Sequence, residues 1–431
     1  MHVLRTLVLA LALASAARAE ITGKTIKIGV LNDQSGPYAD LAGTGSVQAA
    51  RMAVDEFGKI DGATVEIVSA DHQNKPDIGS NIARQWYDAD GVDVIVDVTN
   101  SGVALAVSEV TRSKNKVFLA SGAGSSDLTG AKCSPNTIHW AYDTWALANG
   151  TGTAVVKSGG DSWFFLTADY AFGKALERDV TAVVNANGGK VLGNVLHPLN
   201  TTDFSSFLLQ AQASKAKIIG LANAGGDTIN SIKAASEFGI RQGGQKLAGL
   251  LVFITDIHSL GLPTAQGLSL TESFYWDRDD KTRAFAKKFA AKNNGRMPTM
   301  VHAGVYSSIL HYLKVVKKLK SDGDGKAVVD AMKKEPTDDA LFGKGSIRED
   351  GRKIHPMYVY TVKTPNESKH PWDYYKLLRE IPADQAFRPL KDGNCPFITG
   401  ASAGSTGAST GTTATAGSTG AADAGTAAPK K

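Results

Sequence analysis

Cysteine is almost absent from this chain. Cys133 and Cys395 are the only two among 431 residues, which excludes a disulfide-rich scaffold. The nine histidines are dispersed, without metal-ligand spacing. The G-x-S-x-G matches at 400–404 and 407–411 fall in an Ala/Gly/Ser/Thr run, not at a strand-to-helix turn, so they make no nucleophile elbow, and there is no H-E-x-x-H pair. Gly43-Thr-Gly45 is not a dinucleotide fingerprint, because Gln48 or Ala49 stands where the third glycine belongs. The chain therefore reads as a non-enzyme with no cofactor and no metal. A charge excess of one sign is missing as well. The formal net charge of +5 is small and scattered, which argues against a nucleic-acid partner. Beyond the first residues no stretch is long and apolar enough to cross a bilayer.

What is present is an ordinary globular composition, 42% hydrophobic and 21% charged, enough for a sizeable core. Residues 1–19 carry Arg5, an apolar run from Leu7 to Ala17, and Ala17-Arg18-Ala19 as an A-x-A cleavage pattern. They read as a secretory signal peptide. No cysteine follows that run, so the expected product is exported and soluble, without a lipid anchor. Loss of Arg5 and Arg18 takes the net charge from +5 to +3. In an oxidising compartment Cys133 and Cys395 are expected to pair; the alternative is two buried thiols. Residues 399–431 collapse to Ala, Gly, Ser and Thr, too little apolar surface to offset ordering, and read as a disordered tail.

Between these ends, strands alternate with helices. Ile26–Leu31, Thr64–Ala70, Val92–Val98 and Val117–Ala120 form one block. Ser162–Thr167, Val191–His197, Lys217–Ala222 and Gly249–Phe253 form a second. Such alternation predicts α/β architecture with two parallel sheets. In such sheets ligands bind beyond the carboxyl ends of the strands. Those ends are rich in small and polar residues: Asp33 to Tyr38, Thr99-Asn100-Ser101, Ser121 to Asp127, Asp169-Tyr170, Asn223 to Asp227 and Thr255-Asp256. The segments His139–Asp143 and Leu268–Trp276 read as crossings between the blocks.

Ile28-Gly-Val-Leu-Asn-Asp-Gln-Ser-Gly-Pro-Tyr38, Ser121 to Leu128 and Asp169-Tyr-Ala-Phe-Gly173 together resemble the type I periplasmic solute-binding proteins of ABC transporters. The likeness is to their branched-chain amino-acid-binding, leucine-type cluster and runs from about 21 to 398. It implies two Rossmann-like lobes joined by crossing hinge strands, closing over a small ligand and delivering it to permease subunits in the inner membrane. The lobes would be 20–140 with 275–348, and 141–274 with 349–398, in a monomer in the periplasm. Ser101 matches the serine, and Gly124 the threonine, that hold the ligand carboxylate in the leucine-type binder, with Gly122, Ala123 and Ser125 beside Gly124. Tyr170 matches a ligand-facing tyrosine, and Asp256 falls at about the ammonium partner. Asn223-Ala-Gly-Gly replaces an aromatic and would enlarge the pocket. Asp33, Tyr38, Asn100 and Trp276 complete the candidate ligand-binding set. Asp33 could equally hold the turn at Gly36-Pro37, and Asp256 could cap a helix starting at Ile257. His139-Trp-Ala-Tyr-Asp-Thr-Trp145 and Phe253 to His258 are similar to a subgroup associated with aromatic carboxylates. An aromatic acid is thus the favoured ligand, an amino acid the alternative. A different class of function, a soluble sensor partnering a membrane receptor, fits the same fold.

Overall fold

The computed structural model describes residue 21 and residues 24–60 and 62–398. The expected signal peptide and tail lie outside the described residues. The first sheet is built by β1 (Thr25–Asn32), α1 (Gly43–Phe57), β2 (Thr64–Asp71), α2 (Pro76–Asp88), β3 (Val94–Asp97), α3 (Ser101–Ser113), β4 (Val117–Ala120) and β5 (Thr137–His139). Its strands are all parallel, in the order β2-β1-β3-β4-β5. β3 reads Val-Ile-Val-Asp and is buried throughout, as a central parallel strand covered on both faces must be. Pro76 opens α2, where its missing N–H costs nothing. Gly29 on β1 lets α2 close in, since a Cβ there would lie 2.4 Å from the Trp86 ring.

The second sheet follows α4 (Thr144–Leu147), a π-helical turn at Ala148–Gly152 and α5 (Thr153–Lys157). It comprises β6 (Ser162–Ala168), α6 (Ala171–Ala186), β7 (Lys190–His197), α7 (Ser205–Ala213), β8 (Ile218–Ala222), α8 (Gly226–Glu237) and β9 (Lys246–Gly249). Its strands are again parallel, in the order β7-β6-β8-β9. The expected strand at 249–253 is corrected here. β9 ends at Gly249 and residues 250–253 run without a sheet partner into α9 (Ile254–Leu260) and α10 (Leu262–Ala265). Apolar 250–253 is buried by packing rather than by pairing.

β10 (Ser269–Glu272) leads out of this block. α11 (Asp280–Lys292), α12 (Met300–Leu319) and α13 (Gly325–Lys334) then return to the first sheet, α11 and α12 against α1, and α13 against β4. A small antiparallel sheet, β11 (Thr337–Asp339), β12 (Gly343–Ile347) and β13 (Lys353–Ile354), precedes β14 (Met357–Val362) and β15 (Tyr375–Ile381); β14 pairs antiparallel with β10 on one side and β15 on the other. The chain thus forms two α/β lobes, with crossings around 140–143, 273–279 and 348–356.

Buried charge braces these crossings. The Arg352 guanidinium, wholly inside, donates to the Tyr142 carbonyl at 2.9 Å, lies 3.5 Å from Asp143 and covers the Phe387 ring. After α14 (Ala383–Ala386) the chain runs back across the first lobe. Arg388 donates to the Ser126 carbonyl, and Cys395 is disulfide-bonded to Cys133, between β4 and β5. The end of the segment expected to accompany the second lobe is therefore tied to the first.

Candidate functional site

The carboxyl ends of both sheets face each other across a cleft, and one cavity lies between them. Tyr38, Leu41, Thr99, Gly122, Gly124 and Tyr142 line it from one side and from the crossing. Tyr170, Phe172, Ala224, Leu251 and Phe253 line it from the other. Five of these side chains are aromatic, and among the described lining residues none is charged. The cavity measures about 10 Å³, about the room one water needs.

Its small size has a local cause. Asn223-Ala-Gly-Gly, expected to widen the wall, instead admits the opposite lobe. Gly225 at φ +55 faces Pro37 so closely that a Cβ would lie 2.4 Å from its carbonyl oxygen. The Gly226 N–H donates to that oxygen at 3.1 Å. This contact carries Tyr38 inward until its hydroxyl meets that of Tyr170 at 2.5 Å. Burial and the neighbouring phenol push the Tyr38 hydroxyl well above its ordinary range, so both phenols stay neutral. Gly124 lets the rings close, for a Cβ there would lie 2.8 Å from Phe172 and 2.9 Å from Tyr142.

Of the residues expected from the sequence, Tyr38, Gly122, Gly124 and Tyr170 line the cavity; the others stand behind it, bonded to their own chain. Asp33 accepts from the Gly36 and Tyr38 N–H groups and from Asn74, and so shapes the loop that presents Tyr38. Asn100 caps α3 by accepting from Gly102 and Val103. The Ser101 hydroxyl accepts from the N–H groups of Gly124 and Ser125, fixing the opposite wall. Ser125 accepts from Asp127, and the Ala123 carbonyl is bonded to His139. Asn223 joins Thr228 to His197. Asp256 caps α9 by accepting from Phe253 at 2.9 Å; the helix begins at Ile254, not Ile257. Trp276 donates to the Trp372 carbonyl, outside the cavity.

Thr99, Leu41, Tyr142, Phe172, Ala224, Leu251 and Phe253 were not singled out. Thr99, Phe172 and Ala224 adjoin strand ends that were, and Tyr142 sits in the crossing motif. Phe253 opens the 253–258 motif, whereas Leu41 and Leu251 carried no signal, because apolar residues beside strand ends look like core. Behind Gly122, β3 ends in two consecutive left-handed residues, Asp97 at φ +79 and Val98 at φ +55. That backbone is costly for a β-branched side chain. The Val98 N–H donates to Leu31, and the Asp97 carbonyl accepts from Ser121 and Gly122. These bonds hold the turn that brings Thr99 to the cavity.

Residues 25–369 match the family model described as periplasmic binding protein. The chain belongs to the periplasmic binding proteins. A periplasmic binding protein of Burkholderia mallei is 54% identical, over 87% of this chain and 99% of that one, with a TM-score of 0.85. A branched chain amino acid ABC transporter periplasmic ligand-binding protein of Burkholderia xenovorans is 40% identical, over 86% and 99%, with a TM-score of 0.76. The fold is shared, at 24% identity over 83% and 97% and a TM-score of 0.75, with an ABC-transporter solute binding protein of Rhodopseudomonas palustris HaA2 in complex with p-hydroxybenzoic acid. This periplasmic binding protein is accordingly a solute-binding protein of the ABC-transporter type and not an enzyme.

Proposed function

We propose that this binding protein captures an aromatic carboxylate between its lobes by hinge closure and delivers it to the permease of an ABC importer. One observation carries the choice of ligand. The cavity is lined by five aromatic rings and by no carboxylate among the described residues. Flat apolar walls suit a planar ring. An α-amino acid also brings an ammonium, which in a desolvated site needs an acidic partner. Of the nearby acids, Asp33 and Asp256 are engaged as above, Asp227 is held by the N–H groups of Asn200 and Thr201, and Asp97 lies behind the Gly122 backbone rather than in the lining. The hydroxyls of Thr99, Tyr38 and Tyr170 and the amino end of α3 would meet the carboxylate. The lobes in this reading are 20–140 with 275–348, and 141–274 with 349–398. Since the closed cavity has room for about one water, entry requires the lobes to part and the Tyr38–Tyr170 bond to break.

Thermal unfolding with benzoate, 4-hydroxybenzoate and leucine tests this. A ligand at a hundred times its Kd adds about 2.7 kcal/mol, a rise of a few degrees in Tm. The benzoates are expected to give it and leucine is not. Tyr170→Ala should abolish the benzoate shift while leaving the ligand-free Tm within a few degrees. A shift with leucine alone retires the aromatic reading.

A further inference from the structure

We propose that Asp97 is a positioning residue for the ligand carboxylate: standing behind the cavity wall without a counter-ion, it must keep its proton for the wall around Gly122 to accept an anion. The proposal rests on the ligand being a carboxylate, not on its being aromatic.

Asp97 is fully buried at the end of β3. One carboxyl oxygen accepts from the Asn32 side chain at 2.9 Å; the other is equally buried, and the Ser46 hydroxyl on α1 stands beside the carboxyl. The Gly122 backbone lines the cavity and meets that second oxygen, since a Cβ on Gly122 would lie 2.5 Å from it. One residue's thickness therefore separates the carboxyl from the ligand space. The groups that face it are Asn32 on β1, Ser46 on α1, and Tyr142 of the crossing, whose hydroxyl donates to the Gly122 carbonyl at 2.6 Å. None is a cation. Burial pushes the carboxyl up to about 7, with Ser46 and Asn32 pulling it back. An anion arriving beside Gly122 favours the neutral form further, because like charges in a desolvated site repel strongly. Binding and protonation at Asp97 are thus coupled, and the coupling is reciprocal.

Titration calorimetry tests this with benzoate and, separately, leucine, each near pH 6 and pH 8.5 in two buffers of different ionisation enthalpy. Wild-type protein is expected to take up a proton on binding and to lose about tenfold in affinity over that range. Asp97→Asn, a permanently neutral isostere, should take up none and bind equally at both pH values. Asp227→Asn and Asp256→Asn, which neutralise the other raised carboxyls near the cavity, should each keep the wild-type slope. Asn32→Ala removes a donor that favours the ionised form. It should move the fall in affinity to higher pH, a result that does not depend on Asp97→Asn folding. A wild-type slope retained in Asp97→Asn, or an unmoved profile in Asn32→Ala, overturns the proposal. Binding of leucine but not benzoate retires the aromatic reading and leaves the Asp97 test to the leucine data. Binding of neither overturns both.

Discussion

Asp256 shows how a residue can fit two roles in sequence and only one in space. Its carboxylate reaches back to the Phe253 N–H at the start of α9, and burial lifts it from the ordinary 3.8 to about 7, against that hydrogen bond. Because the folded state holds the proton more tightly than the unfolded chain, stability falls as pH rises from about 4 to about 7. Asp256→Asn keeps the acceptor and removes the titration. Its stability relative to wild type is therefore expected to grow by about 3 kcal/mol between pH 5 and pH 8, read from urea unfolding at each pH; parallel curves would remove this assignment. Asp33, Ser101 and Ser125 carry the same ambiguity. Short oxygen-bearing side chains at strand ends serve equally to bind a ligand or to hold their own backbone, and here they hold the backbone that positions Tyr38 and the 122–125 wall.

Elements were more legible than residues. Periodicity located seven of the eight expected strands within a residue or two, because runs of valine and isoleucine bounded by turn residues have few other uses. The failure at 249–253 came from an apolar run that is buried without pairing, which periodicity cannot separate from a short strand. The start of α3 bears directly on the site, since its amino end approaches the cavity wall. Asn100 supplies the cap there, accepting from Gly102 at 2.9 Å and Val103 at 3.1 Å. Asn100→Ala should lower stability by about 1 kcal/mol and weaken benzoate binding, because Ser101 and the wall it anchors move with the helix end. Unfolding and binding measured on the same variant check both effects, and an unchanged Kd would detach the cap from the site.

At the scale of the molecule, the crossings are supplemented by a covalent tie. The chain leaves β15 in the second lobe, packs Phe387 on Arg352 and His355, and is closed onto the first lobe by Cys133–Cys395. A bridge over 262 residues restrains the unfolded chain by up to about 5 kcal/mol. The paired Cys133→Ser, Cys395→Ser variant should unfold at lower temperature. It should also show a larger ligand-free radius of gyration in solution scattering, since the tie limits how far the lobes part; equal radii would make the bridge a purely stabilising feature. The α/β class, the doubled block, the crossings and the polar strand ends were all determined by the sequence, because each follows from local patterns of apolar and turn residues. The disulfide partnership was expected from only two thiols and an oxidising compartment, and the fold supplied their proximity. Which rings line the cleft, that Asp97 lies behind Gly122, and that Asn223-Ala-Gly-Gly receives a loop instead of opening a pocket were decided by tertiary structure alone. Each depends on residues far apart in the chain meeting across two lobes, and no local pattern encodes that meeting.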